Sequence, residues 1–513
     1  MKRIFKIHLF AFLLLSLQTQ LYSQENEGQD AAISQETFVF IESYLDGIPN
    51  VRDSLIAACD LLIGSATNKE AATSIAGYLF NRFSTSRVMG DESVAIHISQ
   101  NYFLNGKLEW QGDGGLALLR LYTEFNENSL LGMKAPSLEL NRPDGTTLSL
   151  HNIKSRFTLL YFFDSSCNSC REQLPSLAAT LARYSHLNLT VYAIYTQTDT
   201  AGLNRFREEF AHHISATGVN WNFVYDPGNS SNFHKLYNVL STPRIYLLDH
   251  NKTIIGRNLA NTSLNHLLDT EEKKLSHMHS VAEGFVPQYL SLFDLSDTTQ
   301  YSQAFDPLFD RIIRENPEML NPLFYHIFEY LAGSGEEHLK QCALHVAHKY
   351  IQGKPEYWHD PPFTDLRVPQ VVSHIVNNSN GSAFPMASFS NKRGRSYNFG
   401  FDRYQYTYIY FFNPGCAICK PFTFELKKIY KTLKRRGVKV VAIHTAGSKK
   451  EVREYLKEAK VPWDVLYYNP DNILPLHQIY ESELLPMTYL VDNNGIIQAK
   501  VINTIKLLEL IQK

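Results

Sequence analysis

The stretch FTLLYFFDSSCNSCREQLP, residues 157–175, decides how this chain reads. Phe157 to Phe163 reads as a buried apolar strand, rich in aromatic residues. Asp164, Ser165 and Ser166 end it, and a helical pattern then runs to about Tyr184. A Cys-x-x-Cys pair, Cys167 and Cys170, stands where the buried strand turns into the helix. The first cysteine there occupies a helix N-terminus, where unpaired N–H groups and the helix dipole favour a thiolate. The second lies one turn further on, close enough to attack a mixed disulfide. This placement predicts Cys167 as nucleophile and Cys170 as resolving thiol.

Strands and helices alternate on both sides of that stretch. Upstream, Ser137–Leu140, a Pro143-Asp144-Gly145 turn and Thr147–Leu150 read as a hairpin. Downstream come the strand Leu189–Tyr195, a helix near 203–215, the strand Asn222–Tyr225 and a short helix near 231–238. The strands Ile245–Leu248 and Thr253–Gly256 close the module. Such an order predicts an α/β fold, a mixed sheet covered by helices on both faces.

The chain reads as written twice. The octapeptide AIHISQNY at 95–102 recurs as ALHVAHKY at 343–350, and each copy runs on into a Gly-Lys and then Trp110 or Trp358. Cys167 and Cys170 correspond to a second Cys-x-x-Cys, Cys416 and Cys419. His234 to Tyr237 matches His477 to Tyr480, and Pro243 matches Pro486. The second module repeats the strand order with Tyr406–Phe412, Lys439–Ile443, Val465–Tyr467, Met487–Val491 and Ile496–Val501. Apolar residues at helical spacing, such as Ile75, Tyr78, Leu79 and Phe83, make the segment ahead of each module all-α. The expected organisation is a signal peptide at 1–23, a helical module at 24–131 and an α/β domain at 132–272. A second helical module at 273–382 and a second α/β domain at 383–513 follow. Leu264 to Tyr289 reads as a helical connector, and the polar run 377–382 as a linker.

Lys2, Arg3 and Lys6 precede an apolar stretch from Leu9 to Leu17, with Ser23 before Gln24. This is the pattern of a cleavable signal peptide, and the stretch falls short of the roughly 20 residues a spanning helix needs. The mature protein is therefore expected to be exported, to the periplasm, with no membrane anchor left after cleavage. The formal net charge is -2, which gives no footprint for nucleic acid. Runs such as Lys434-Arg435-Arg436 and Lys392-Arg393-Gly394-Arg395 read as solvated faces. Cys59 and Cys342 fall on helical patterns and read as buried apolar residues. His97, His345, Trp110 and Trp358 read as helical packing, and His212, His213, His277 and His279 as surface histidines. One Cys-x-x-Cys supplies two zinc ligands, and no partner pair lies nearby at zinc spacing, so no metal and no cofactor is expected.

With these residues the chain resembles the exported thioredoxin-like thiol-disulfide oxidoreductases of the TlpA/ResA type. The resemblance covers both α/β modules. It rests on Cys167 to Pro175 with Ser241-Thr242-Pro243 in the first, and on Cys416 to Lys420 with Leu485-Pro486-Met487-Thr488 in the second. It implies two thioredoxin-like domains in which Pro243 and Pro486 are cis and face the cysteine pairs. It also implies that Thr242 and Leu485, with those prolines, present backbone to a substrate. The chain departs from the family in having Ser166 and Gly415, not Trp, before the first cysteine of each pair. The helical modules also resemble the uncharacterised helical domain often found ahead of such domains.

Three functions compete on these residues. The first is a dithiol-disulfide oxidoreductase that reduces, oxidises or isomerises disulfides of protein or small thiol substrates. The second is a non-enzymatic scaffold whose disulfides stay closed. The third is a peroxidase of the peroxiredoxin kind. That chemistry expects Thr three residues before the reactive cysteine and Pro four before that, where this chain has Asp164 and Leu160, then Asn413 and Ile409.

Overall fold

The computed structural model describes residues 34–512 except 111–112, 446–448, 470–471, 473 and 481–484. The signal-peptide segment 1–23 lies outside the described residues. The chain forms two compact units that part between Lys274 and Leu275.

In the first unit, helices Gln35–Asp46, Arg52–Gly64, Lys69–Ser84, Glu92–Ile98 and Asp113–Asn126 precede the sheet. Two of them start on side-chain caps: Ser34 Oγ accepts from Thr37 N–H, and Asn68 Oδ1 accepts from Ala71 N–H at 2.8 Å. Their apolar stripes converge on Cys59, Ala76, Leu79, Val94 and Ile98, all fully buried. Helix Glu92–Ile98 continues directly as a π-helix, Ser99–Phe103, inside the repeated octapeptide.

The sheet that follows has seven strands in the order β2-β1-β5-β4-β3-β6-β7. They are β1 (Glu139–Asn141), β2 (Thr147–Ser149), β3 (Phe157–Phe163), β4 (Leu189–Tyr195), β5 (Asn220–Tyr225), β6 (Arg244–Leu248) and β7 (Ile254–Arg257). β3 pairs in parallel with β4 and antiparallel with β6, and β4 pairs in parallel with β5. Every residue of β3 and β4 is buried, which is why both read as near-continuous apolar runs with one threonine each: helices cover both faces. The helix expected near 203–215 is two helices, Thr200–Glu209 and Ala211–Ser215, broken at Phe210. Phe210 turns inward there, its ring tilted against that of Phe206, and its own N–H closes the first helix on Phe206 O.

The second unit opens on the latter part of helix Asn261–Leu290, then Gln300–Glu315, Leu320–Ala332, Glu337–Val346 and Val368–Asn378. Here too the octapeptide copy ends in a π-helix, Ala347–Gln352. The six-stranded sheet has the order β13-β12-β9-β10-β11-β8. Its strands are β8 (Phe389–Asn391), β9 (Tyr406–Phe412), β10 (Val438–His444), β11 (Asp464–Tyr468), β12 (Met487–Asp492) and β13 (Ile497–Lys500). Read from β8, it matches the first sheet from β1 onward, with β9 and β10 parallel and β12 antiparallel to β9. Both sheets are thus the mixed, helix-flanked α/β arrangement expected.

The polar run 377–382 is not a loose linker. Asn377 and Asn378 finish helix Val368–Asn378, and Asn378 is fully buried. Its amide donates to Ile479 O at 3.0 Å and its carbonyl accepts from Tyr489 OH at 2.8 Å. A polar side chain there serves as an internal strut, so composition alone misplaces it.

Candidate redox sites

The end of β3 sets the first site. Asp164 Oδ1 accepts from Ser166 N–H and Ser166 Oγ, each at 2.8 Å, and its Oδ2 accepts from Gln197 Nε2. This Asx-type turn bends the chain so that Cys167 N–H donates to Asp164 O at 3.2 Å. Cys167 is then the N-cap of helix Asn168–Arg183, half-buried, with Cys170 N–H donating to its Sγ at 3.1 Å. The Cys167 thiol donates in turn to Thr242 O at 3.1 Å. Cys170 is fully buried. Burial, and then the hydrogen bond with Cys167, pushes its thiol up to about 12. The result is one reachable sulfur touched by a helix N–H, with a sheltered second sulfur behind it.

The second site repeats this frame with different parts. Asn413 takes the place of Asp164: its Oδ1 accepts from Gly415 N–H at 2.9 Å, and its carbonyl from Cys416 N–H at 3.0 Å. Cys419 N–H donates to Cys416 Sγ at 3.1 Å, and Cys416 Sγ lies 3.8 Å from Leu485 O. Cys416 and Cys419 are disulfide-bonded, with Cα atoms 5.4 Å apart, whereas Cys167 and Cys170 are free thiols. Cys416 is not itself the helix cap. The helix spans Cys419–Arg435, and Ala417 and Ile418 form a turn ahead of it. Pro421 explains the later start, because it has no N–H to give to Ala417 O.

The Thr242–Pro243 and Leu485–Pro486 bonds are both cis, as the resemblance implies. The structure therefore brings together Cys167, Cys170, Thr242 and Pro243 in one unit, and Cys416, Cys419, Leu485 and Pro486 in the other. Charged neighbours are neutralised alike: Arg171 pairs with Glu209, and Lys420 with Glu458 at 2.6 Å.

Sequence reasoning missed what lies behind the resolving cysteines. Cys419 O accepts from Thr423 Oγ1 at 2.9 Å and from Tyr455 OH at 3.3 Å, and Thr423 and Tyr455 share a 2.6 Å bond. Cys170 O has Tyr161 OH at 3.4 Å. The one signal was Thr423 four residues after Cys419, where an i−4 back-bond is geometrically natural. Leu174 holds that place in the first copy.

The other residues singled out lie elsewhere. Cys59 and Cys342 are fully buried, and burial pushes each thiol up to about 12. His97 is more than packing, since its Nε2 meets Asp60 Oδ1 at 2.8 Å, the atom to which Tyr102 OH donates at 2.8 Å. His345 packs between the rings of Tyr301 and Tyr350, and Trp358 Nε1 donates to Tyr350 O. Trp110 packs edge-on against Phe80 and Phe103. His212, His213 and His277 are exposed, but His279 is half-buried, its Nδ1 3.1 Å from His326 Nε2. No group of three or more metal-ligating side chains occurs among the described residues, and no helix among them is long and apolar enough to cross a membrane.

No curated protein matches the chain. Among solved structures it is similar to a thioredoxin-like protein from Bacteroides caccae at 17% identity, covering 48% of this chain and 89% of that one, TM-score 0.35. It is also similar to a domain of a possible thiol-disulfide isomerase from Cytophaga hutchinsonii at 30% identity, covering 30% of this chain and 99% of that one, TM-score 0.26. The thioredoxin domain of a thiol-disulfide oxidoreductase from Bacteroides vulgatus matches at 24% identity over 28% of this chain and 96% of its own, TM-score 0.24. Residues 131–257 match the model of the AhpC/TSA family, and residues 404–497 a thioredoxin-like family model. With a family-model match over the α/β part of each half, the chain carries two thioredoxin-like domains.

Proposed function

We infer that the protein is an exported thiol-disulfide oxidoreductase that exchanges disulfides with protein or small thiol substrates at two sites. The observation that carries this reading is the pairing, in both domains, of a half-exposed sulfur held by a backbone N–H with a buried sulfur three residues on. At the first site the Cys167 thiolate attacks a substrate disulfide, forming a mixed disulfide and releasing one substrate thiolate. Cys170, once deprotonated, attacks the Cys167 sulfur, closes the Cys167–Cys170 disulfide and releases the second substrate thiolate. Two electrons pass to the substrate, and the reverse sequence oxidises a dithiol. Cys416 and Cys419 follow the same steps. Thr242 O and Leu485 O face the nucleophilic sulfurs, which supports a role for this backbone in aligning the substrate chain. Export rests on the basic and apolar N-terminal pattern. The matching strand orders and the twin π-helices support a tandem duplication.

Asp164 speaks against a peroxidase, although the first domain matches the AhpC/TSA model. Where that chemistry needs a hydroxyl donor, this site has a carboxylate already committed to Ser166 and Gln197.

The test is the redox state of each pair across graded glutathione buffers, read by alkylation and mass spectrometry. Both pairs should cycle, with alkylation of the reduced native protein at Cys167 ahead of buried Cys170, Cys59 and Cys342. A Cys167→Ser, Cys416→Ser double variant should lose disulfide exchange. Pairs that stay oxidised in strongly reducing buffer would make the protein a scaffold with structural disulfides.

A further inference from the structure

The two sites share a frame but not a rim. Around Cys167 the surface positions are Asn168, Ser169, Glu172 and Gln173, all exposed, with Thr242 half-buried before the cis proline. The corresponding positions around Cys416 are Ala417, Ile418, Pro421, Phe422 and Leu485. Every one of these five places changes from a polar to an apolar residue. The neighbouring cation is kept in both, as Arg171 and Lys420, each tied to a glutamate.

At the second site Ala417, Ile418 and Pro421 are exposed, while Phe422 and Leu485 are half-buried and rest on the core. Ile418 is 65% exposed between the two cysteines. Phe422, four residues on and joined to it by the Phe422 N–H to Ile418 O bond of 3.1 Å, lies on the same helix face. Leu485 closes the other side, its carbonyl turned toward Cys416. A large aliphatic side chain held in water beside a reactive sulfur gains free energy when a substrate covers it. Natively folded proteins bury the apolar residues near their cysteines, whereas extended, non-native chains present them.

We propose that the second site is selective for cysteines flanked by apolar residues in extended, non-native chains, with Ile418 and Leu485 as its specificity-determining residues. The first site, polar at all five positions, has no such preference. This assignment rests on the thiol-exchange reading above. In the reaction, the Cys416 thiolate attacks the substrate's cysteine sulfur, the substrate S–S bond breaks and its partner sulfur leaves as a thiol. Cys419 then attacks the Cys416 sulfur and releases the substrate cysteine as a thiol. The Cys416–Cys419 disulfide forms, and the substrate disulfide takes up both electrons.

The test uses the full chain with the first pair silenced as Cys167→Ser, Cys170→Ser and the second reduced beforehand. Two five-residue peptides serve as probes, each with a central cysteine joined to glutathione, one flanked by leucines and one by serines. Exchange yields free peptide, free glutathione and the Cys416–Cys419 disulfide. The leucine peptide should have a kcat/KM about tenfold above the serine peptide, the scale of discrimination an apolar contact gives. Ile418→Ser should bring that ratio to within about twofold. The mirror protein, with Cys416→Ser and Cys419→Ser, should show no preference, and Ser169→Ile in it should create one. Equal rates for both peptides at an active second site would overturn this selectivity and leave the redox reading standing. Exchange with neither peptide would overturn both.

Discussion

Lys252 shows how one buried group couples the first unit to pH. It follows β6 in a turn, is almost fully buried, and its Nζ donates to Thr158 Oγ1 at 2.9 Å, beneath the start of β3. Burial lowers its pKa from 10.5 to about 8. Below pH 8 the lysine is charged in both the folded and the unfolded chain, and the fold bears the cost of the buried charge. Between about 8 and 10.5 the unfolded chain holds the proton and the folded one does not, so stability rises with pH through this window. Lys252→Met should raise the urea midpoint of the first unit at pH 7 and flatten its rise between pH 8 and 10.5. Nothing in the sequence announced this, because a lysine beside a turn reads as solvated. The cysteines were legible for the opposite reason: thiol chemistry restricts where a Cys-x-x-Cys can work, so position alone carried the reading. Thr423 and Tyr455 were not, since their contact joins two helices remote in sequence.

Secondary elements show the same division. The central strands were readable to the residue because a strand buried on both faces is apolar at nearly every position, as in β3, β4 and β9, each with a single threonine. What joins each sheet to its helical module was hidden. Arg257, the last residue of β7, is fully buried, with Nη1 2.8 Å from Glu92 Oε1 and Nη2 3.0 Å from Asn126 Oδ1. Lys500, the last residue of β13, reaches Glu337 Oε2 at 3.1 Å. Glu92 and Glu337 each open the helix that carries the repeated octapeptide, where a carboxylate also favours the dipole. Arg257→Ala strands Glu92 and Asn126 without their cation. Calorimetry or urea melts should show the first unit destabilised by about 3–5 kcal/mol, the range for breaking one side of a buried pair. A loss below 1 kcal/mol would mean water replaces the guanidinium freely.

At the scale of the molecule, each unit has its own sheet, core and cysteine pair. Removing Cys167 and Cys170 should therefore leave the glutathione midpoint of Cys416 and Cys419 where it is in the intact protein. A displaced midpoint would mean that the pairs trade electrons or shape one another's surroundings. The sequence matches between the halves are short and separated by loop-length drift, and the split between Lys274 and Leu275 falls within helix Asn261–Leu290, close to the boundary expected after residue 272. The twin π-helices carry one last consequence. Relative to an α-turn, a π-turn accommodates one surplus residue, and each residue of an α-helix accounts for about 100° of rotation. The surplus thus acts as a phase setting for what lies beyond it. In the two units it brings Tyr102 to Asp60 and Tyr350 to Asp306, tyrosines at the same step of the octapeptide. The two tyrosines, one in each unit, keep the phase it sets.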